Sequence, residues 1–311
     1  MVGENPILKS KLFYDTKMQV TGKKATRVIL FFLFSLGILI LSYSSLIELV
    51  GLSLQNNHYS HIPLIPVISG CFLYVRRRKI FADTHYSYGI GIMVVITGGL
   101  LYLVGKTRGI KLNQNDYVSF MIFSELILLA GGFLFCFGLK ALRSAVCPLL
   151  FLLFTVPIPT VLIEKAILFL QVGSAEAAYV LFRLDGTPVV KQGFVFNLSG
   201  MSVEVAEQCS GFRSSLALFI LSILSSALFL KTGWKRLILI LTVFPLALIK
   251  NSLRIVTLSL FAIYVDSSIL IDSALHERGG ILFFLIALIP FTFLLWILER
   301  SERKSESLIN K

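Results

Sequence analysis

Long apolar runs separated by short polar breaks make up most of the chain, and about eight of them approach or exceed the roughly 20 residues a helix needs to cross a bilayer. They occupy residues 28–50, 61–75, 88–105, 117–138, 144–163, 212–230, 237–265 and 279–298. The second is short and is expected to begin a few residues before His61, and the seventh is too long for one untilted helix. Pro157-Ile158-Pro159 interrupts the fifth near its end, where proline is tolerated because the helix is stopping. Residues 164–207 form the longest stretch without continuous apolarity. Residues 164–184 keep apolar positions at helical spacing, with Glu164, Lys165, Glu176 and Arg183 among them, as a helix lying along the interface would. Further on, Val195-Phe196-Asn197 and Val203-Glu204-Val205 flank Leu198-Ser199-Gly200-Met201 and read as a small hairpin. Unpaired strand edges have no place in hydrocarbon, so the hairpin belongs in the outer aqueous layer. The fold expected is an all-α polytopic membrane protein, with about eight transmembrane helices and a small extracytoplasmic β-hairpin before the sixth.

The polar breaks carry orientation. Lys9, Lys11, Lys17, Lys23, Lys24 and Arg27 precede the first run, and Arg76-Arg77-Arg78-Lys79 closes the second. Lys140 and Arg143 follow the fourth, Lys231, Lys235 and Arg236 the sixth, and Arg300, Arg303 and Lys304 the last. Basic residues collect at cytoplasmic loops, so both termini are expected in the cytoplasm; Lys106, Arg108 and Lys111 are the one exception to the alternation. The organisation that follows is a basic cytoplasmic tail (1–27), a single transmembrane catalytic domain (28–298) whose outer segment is 164–207, and a cytoplasmic tail (299–311). The first run lies too far into the chain and is too long for a cleavable signal, so it is expected to stay as an anchor.

Composition agrees and removes alternatives. A hydrophobic share of 56%, a charged share of 15% and a mean hydropathy of +0.84 exclude an ordinary soluble protein. The net charge of +12 sits in blocks between apolar runs, so it is read as topology and no nucleic-acid partner is expected. Cys71, Cys136 and Cys147 fall inside apolar runs with no CxxC spacing, which argues against disulfides and zinc. No metal or organic cofactor is implied.

Cys209 is different. It stands where the polar segment meets the sixth run, in Glu207-Gln208-Cys209-Ser210-Gly211-Phe212-Arg213. The expected topology delivers it to the outer face together with Arg254, in the outer half of the seventh run, and His276, just before the eighth. Each has a bland reading: packing for the cysteine, snorkelling for the arginine, surface for the histidine. Together they suit acyl transfer. Cations lower a thiol's pKa, an imidazole carries its proton to the leaving amine, and a guanidinium steadies an oxyanion. Asn251 shares a helical face with Arg254, and an intramembrane charge such as Arg254 is a functional suspicion by default. His58, His61 and His85 are weaker candidates. Glu125, in the outer half of the fourth run, needs a partner; it either orients a guanidinium, with Lys250 or Arg254 as counterion, or lines water with no role.

These motifs resemble the exosortase/archaeosortase family of membrane-embedded cysteine transpeptidases. The resemblance rests on Glu207 to Ser214, on Asn251-Ser252-Leu253-Arg254-Ile255 and on His276-Glu277-Arg278-Gly279. Tyr59-Ser60-His61-Ile62-Pro63-Leu64-Ile65-Pro66, closed by Arg76-Arg77, is similar to the family's N-terminal signature. The resemblance implies Cys209 as nucleophile, Arg254 as transition-state stabiliser and His276 as general acid/base, with Arg213, Ser210, Gly211, Asn251 and Glu125 in support. For Arg213 an interfacial anchor is an equal alternative. The substrates implied are exported proteins ending in a PEP-CTERM-type motif, a transmembrane helix and a basic tail, cut at the outer face of the cytoplasmic membrane through a thioester. Membrane lipid is the other partner, and a further soluble domain fused to some relatives is not expected. The rival readings are a transporter component, a lipid-modifying enzyme acting on phosphate, and a noncatalytic assembly subunit.

Overall fold

A computed structural model describes residues 25–82, 84–107, 112–198, 201–264 and 274–309. The basic tail 1–24, Arg108 and Lys111, Ser199 and Gly200, and residues 265–273 lie outside the described residues, as do the side chains of Gln208, Cys209 and residues 274–279. The chain divides into two compact units, Met1–Thr160 and Val161–Lys311.

In the first unit α1 (Ala25–Leu41) and α2 (Tyr43–Gln55) form one apolar pair bent by 71° at the buried Ser42. A short turn, Asn57–Tyr59, leads to α3 (Leu64–Ile80), whose last turn carries Arg77, Arg78 and Lys79. Next come α4 (Tyr88–Lys106) and α5 (Gln114–Phe151). These last two approach closely because small residues meet backbone. A methyl on Gly91 would lie 2.6 Å from Phe135 Cα, and one on Gly131 2.8 Å from Val95 N. In a bilayer, where no hydrophobic effect drives helices together, such close van der Waals approach does so.

The expected division between fourth and fifth spans falls inside α5. Gly138 has φ 81 and ψ 175, a break that separates two helical halves. A side chain there would strike the His85 carbonyl, and the amides of His85 and Ser87 donate to the Phe137 and Phe135 carbonyls just before the break. Ile80, Phe133, Phe137 and Ala141 pack around it. The fifth span ends earlier than expected. Helix stops at Phe151, a tight turn runs over Leu152–Thr155, and the stretch from Val156 to Pro159 is irregular.

The second unit begins one residue into α6 (Thr160–Leu184). Residues 164–184 were expected to lie along the interface, but they belong to a continuous 25-residue helix apolar enough to cross a membrane. Its charged positions are spaced widely enough to leave such a window intact. The expected hairpin is a three-stranded meander: β1 (Val189–Gln192), β2 (Val195–Leu198) and β3 (Met201–Glu204), antiparallel in that order. Register pairs Phe196 with Lys191 on one side and Val203 on the other. The sheet sits on helices through Phe196, Leu198 and Val205, packed with Ala178 and Phe182 of α6 and with Ile255 and Val256. Then come α7 (Phe212–Phe229), α8 (Gly233–Tyr264) and α9 (Ala274–Ile309). At 32 residues α8 is about 48 Å long, in keeping with the expectation of a run too long to stand untilted.

Among the described residues six helices are long and apolar enough to cross a membrane, or seven if the α1–α2 pair forms one span. In that measure α5 counts once despite its break, and α3 falls short. The chain is a multi-pass, predominantly helical membrane protein with one small sheet.

Candidate active site

The strand β3 runs through Val205 into a single 3-10 turn, Glu207–Ser210, that carries Cys209, and Gly211 hands the chain to α7. Gly211 adopts φ 72, ψ 18, the left-handed region, where an L side chain costs about 1–2 kcal/mol. A second constraint acts at the same atom. A methyl on Gly211 would lie 2.7 Å from Asn251 Oδ1 and 3.1 Å from its Cγ. Glycine is thus required both by the reversal and by the approach of α8.

Upstream, Gln171 of α6 donates from Nε2 to the Val205 carbonyl at 2.5 Å, so the strand enters the turn from a fixed position. Downstream, the Gly211 carbonyl accepts from Ser215 N at 3.0 Å, Ser215 Oγ at 2.8 Å and Ser214 Oγ at 3.1 Å. Lys250, almost wholly buried, donates to Ser214 Oγ, and its Nζ lies 3.4 Å from Ser215 Oγ. Lys250 matters more than the sequence reading supposed. Its signal was present, as a cation in an apolar run one helical turn before Arg254.

Of the residues singled out from sequence, Ser210 is buried at the end of the turn, Asn251 is fully buried against Gly211, and Arg254 is half-buried one turn further along α8. Arg213 is exposed on the first turn of α7. His276 lies in the opening turn of α9. Lys235, near the start of α8, donates to Ser301, near the end of α9. The two helices therefore run antiparallel, and the first turns of α9 lie towards the same end of this unit as the last turns of α8. The backbone positions of Cys209, Arg254 and His276 thus share one end of the second unit.

Glu125 belongs to the first unit. It is 7% exposed, and Ser42 and Ser45, at the bend and in α2, hydrogen-bond to its carboxyl group. The early Tyr59-Ser60-His61 segment also lies in that unit and holds structure together. Tyr59 donates to Asn115 Oδ1 at 2.5 Å and stands 3.4 Å from the Ile158 carbonyl. Burial, with the nearby Asp116 carboxylate adding to it, pushes its phenol up to about 12 despite the Asn115 hydrogen bond. The His61 imidazole is bonded to the His58 and Phe154 backbone, yet burial outweighs those contacts and holds it below the ordinary histidine range. Beside them Asp116 accepts from Thr160 N at 2.7 Å, a contact within the first unit.

With that geometry in place, the comparison with known families is direct: the transmembrane exosortase family model matches residues 53–293. The chain belongs to this family. The match runs from the end of α2, through the Tyr59 segment and the Cys209 turn, to the middle of α9. No curated protein and no solved structure matches the chain. Exosortases are membrane cysteine peptidases or transpeptidases, so a membrane transpeptidase-type role on protein substrates with C-terminal signals follows from membership.

Proposed function

We propose that this exosortase cleaves exported proteins at a C-terminal sorting signal (a short PEP-CTERM-type motif, a transmembrane helix and a basic tail), with Cys209 as nucleophile. The observation that carries the reading is the Cys209 turn itself. A polar strand ends in a single 3-10 turn, closed by a left-handed glycine, pinned by Lys250 through Ser214 and pressed against the helix that carries Arg254.

In this reaction the Cys209 thiolate attacks the scissile carbonyl carbon. The C–S bond forms and the carbonyl π pair moves to oxygen. Arg254, one turn beyond the Gly211 contact, stabilises that oxyanion. His276 takes the thiol proton and gives it to the leaving nitrogen as the C–N bond breaks. A thioester remains on Cys209, which water or an amine then resolves. Lys250 and Arg254, one turn apart on α8, favour the thiolate, since cations stabilise it. The site faces the outer side of the cytoplasmic membrane, with Arg213 anchoring the head of α7 at the headgroups.

The experiment is co-expression with an exported reporter bearing such a signal. Cys209→Ala should leave the reporter full length, and Arg254→Ala and His276→Ala should slow processing strongly. Processing at the wild-type rate by Cys209→Ala would remove the cysteine mechanism.

A further inference from the structure

Asn251 is placed unlike any other polar side chain at the Cys209 turn. It is 0% exposed, and neither its Nδ2 nor its Oδ1 has a hydrogen-bond partner among the described residues. Ser214, Ser215 and Lys250 around it are tied to the turn. An unpaired buried donor or acceptor costs stability, so an amide kept in that state points to a use outside the resting fold. A leucine or serine would fill the space without that cost. The Oδ1 atom is turned towards Gly211, 2.7 Å from where a methyl would stand, which leaves Nδ2 as the free end. The amide is therefore held beside the nucleophile's turn with its donors unused by any described residue.

We propose, on the reading of Cys209 as nucleophile, that the Asn251 carboxamide is the second oxyanion donor, acting with Arg254 three residues on along the same face. When the sulfur attacks and the π pair moves onto the carbonyl oxygen, an Nδ2–H of Asn251 donates to that oxygen. Collapse of the intermediate returns the pair to the C=O bond, expels the nitrogen with the proton from His276, and releases the amide again. The ground-state carbonyl does not engage it. The amide is closed off at rest, so substrate must displace the turn over it, an induced-fit step. The hydrogen bond then forms in a water-free site, where fixed donors count most.

The test uses the full chain in membranes with the tripartite-signal reporter supplied at graded levels. Two readouts are taken: processing kinetics, and the pH profile of Cys209 alkylation by iodoacetamide. Asn251→Ala and the similar-sized, uncharged Asn251→Leu should lower the maximal rate on the order of 100- to 1,000-fold. The half-saturating level and the alkylation profile should stay where they are. Processing near the wild-type rate, with Cys209→Ala inactive, would overturn the role of Asn251 alone. Loss of Cys209 alkylation in both variants would also overturn it, by making Asn251 a prop for the turn. Processing by Cys209→Ala would instead sink the nucleophile reading on which the proposal rests.

Discussion

At Gly211 two independent demands fall on one hydrogen atom: a left-handed backbone and the flank of Asn251 at 2.7 Å. Gly211→Ala is therefore expected to abolish reporter processing and slow Cys209 alkylation. Gly99→Ala should leave both unchanged, because a methyl there meets nothing within 4 Å. Equal behaviour of the two variants in the alkylation assay would show that the turn is not under this constraint. His61 makes a different kind of residue-scale statement. Burial lowers its folded pKa below the unfolded value, so the unfolded chain binds the proton more readily. Its contribution is full above the unfolded pKa of about 6.5 and is lost as pH falls towards the folded value. His61→Gln, with no proton to gain, should flatten the acid side of a Tm-against-pH profile measured in detergent. An unchanged slope would mean that another group sets it.

Among the elements, α8 is held at its start by a contact far from the site. Glu302, 7% exposed, accepts from Lys231 N at 2.9 Å and Thr232 N at 2.8 Å, just before α8 starts. A carboxylate at a helix N-terminus is worth about 0.5–2 kcal/mol. Glu302→Gln should lower the melting temperature without moving the pH profile of Cys209 alkylation. A Tm equal to wild type would deny the cap its role. Elements also show where sequence reading stopped. The break at Gly138 was legible because a glycine, followed by Lys140, interrupts the apolar pattern. The strand β1 was not, because Val189-Val190-Lys191-Gln192 is too short for alternation to register. Its evidence is tertiary: Lys191 pairs with Glu176 of α6. Residues 164–184 misled in the opposite sense, since the four charges that suggested an interface helix still leave a window apolar enough to span. At the site, Cys209, Arg254 and His276 stood out by motif. The contact of Asn251 with Gly211 and the reach of Lys250 to Ser214 depend on how α8 meets α7, which no local pattern encodes.

At the scale of the whole molecule, cleavage of exported proteins requires the sheet and the Cys209 turn outside and the end of α9 inside. In a chain whose native cysteines are replaced by serine, Ser202→Cys, on the exposed side of β3, should react with a membrane-impermeant maleimide in intact cells. Arg303→Cys, exposed near the end of α9, should react only after permeabilisation. The reverse pattern would put the turn on the cytoplasmic side and separate it from exported substrates.

The central claim is that a covalent intermediate forms on one sulfur, and it is tested most directly by acid-quenching the wild-type protein during reporter turnover and sequencing its peptides by mass spectrometry. The result expected is a hydroxylamine-labile adduct carrying the reporter's newly formed C-terminus, attached at Cys209. Cleavage that proceeds with no adduct there, or with the adduct on another residue, would contradict it.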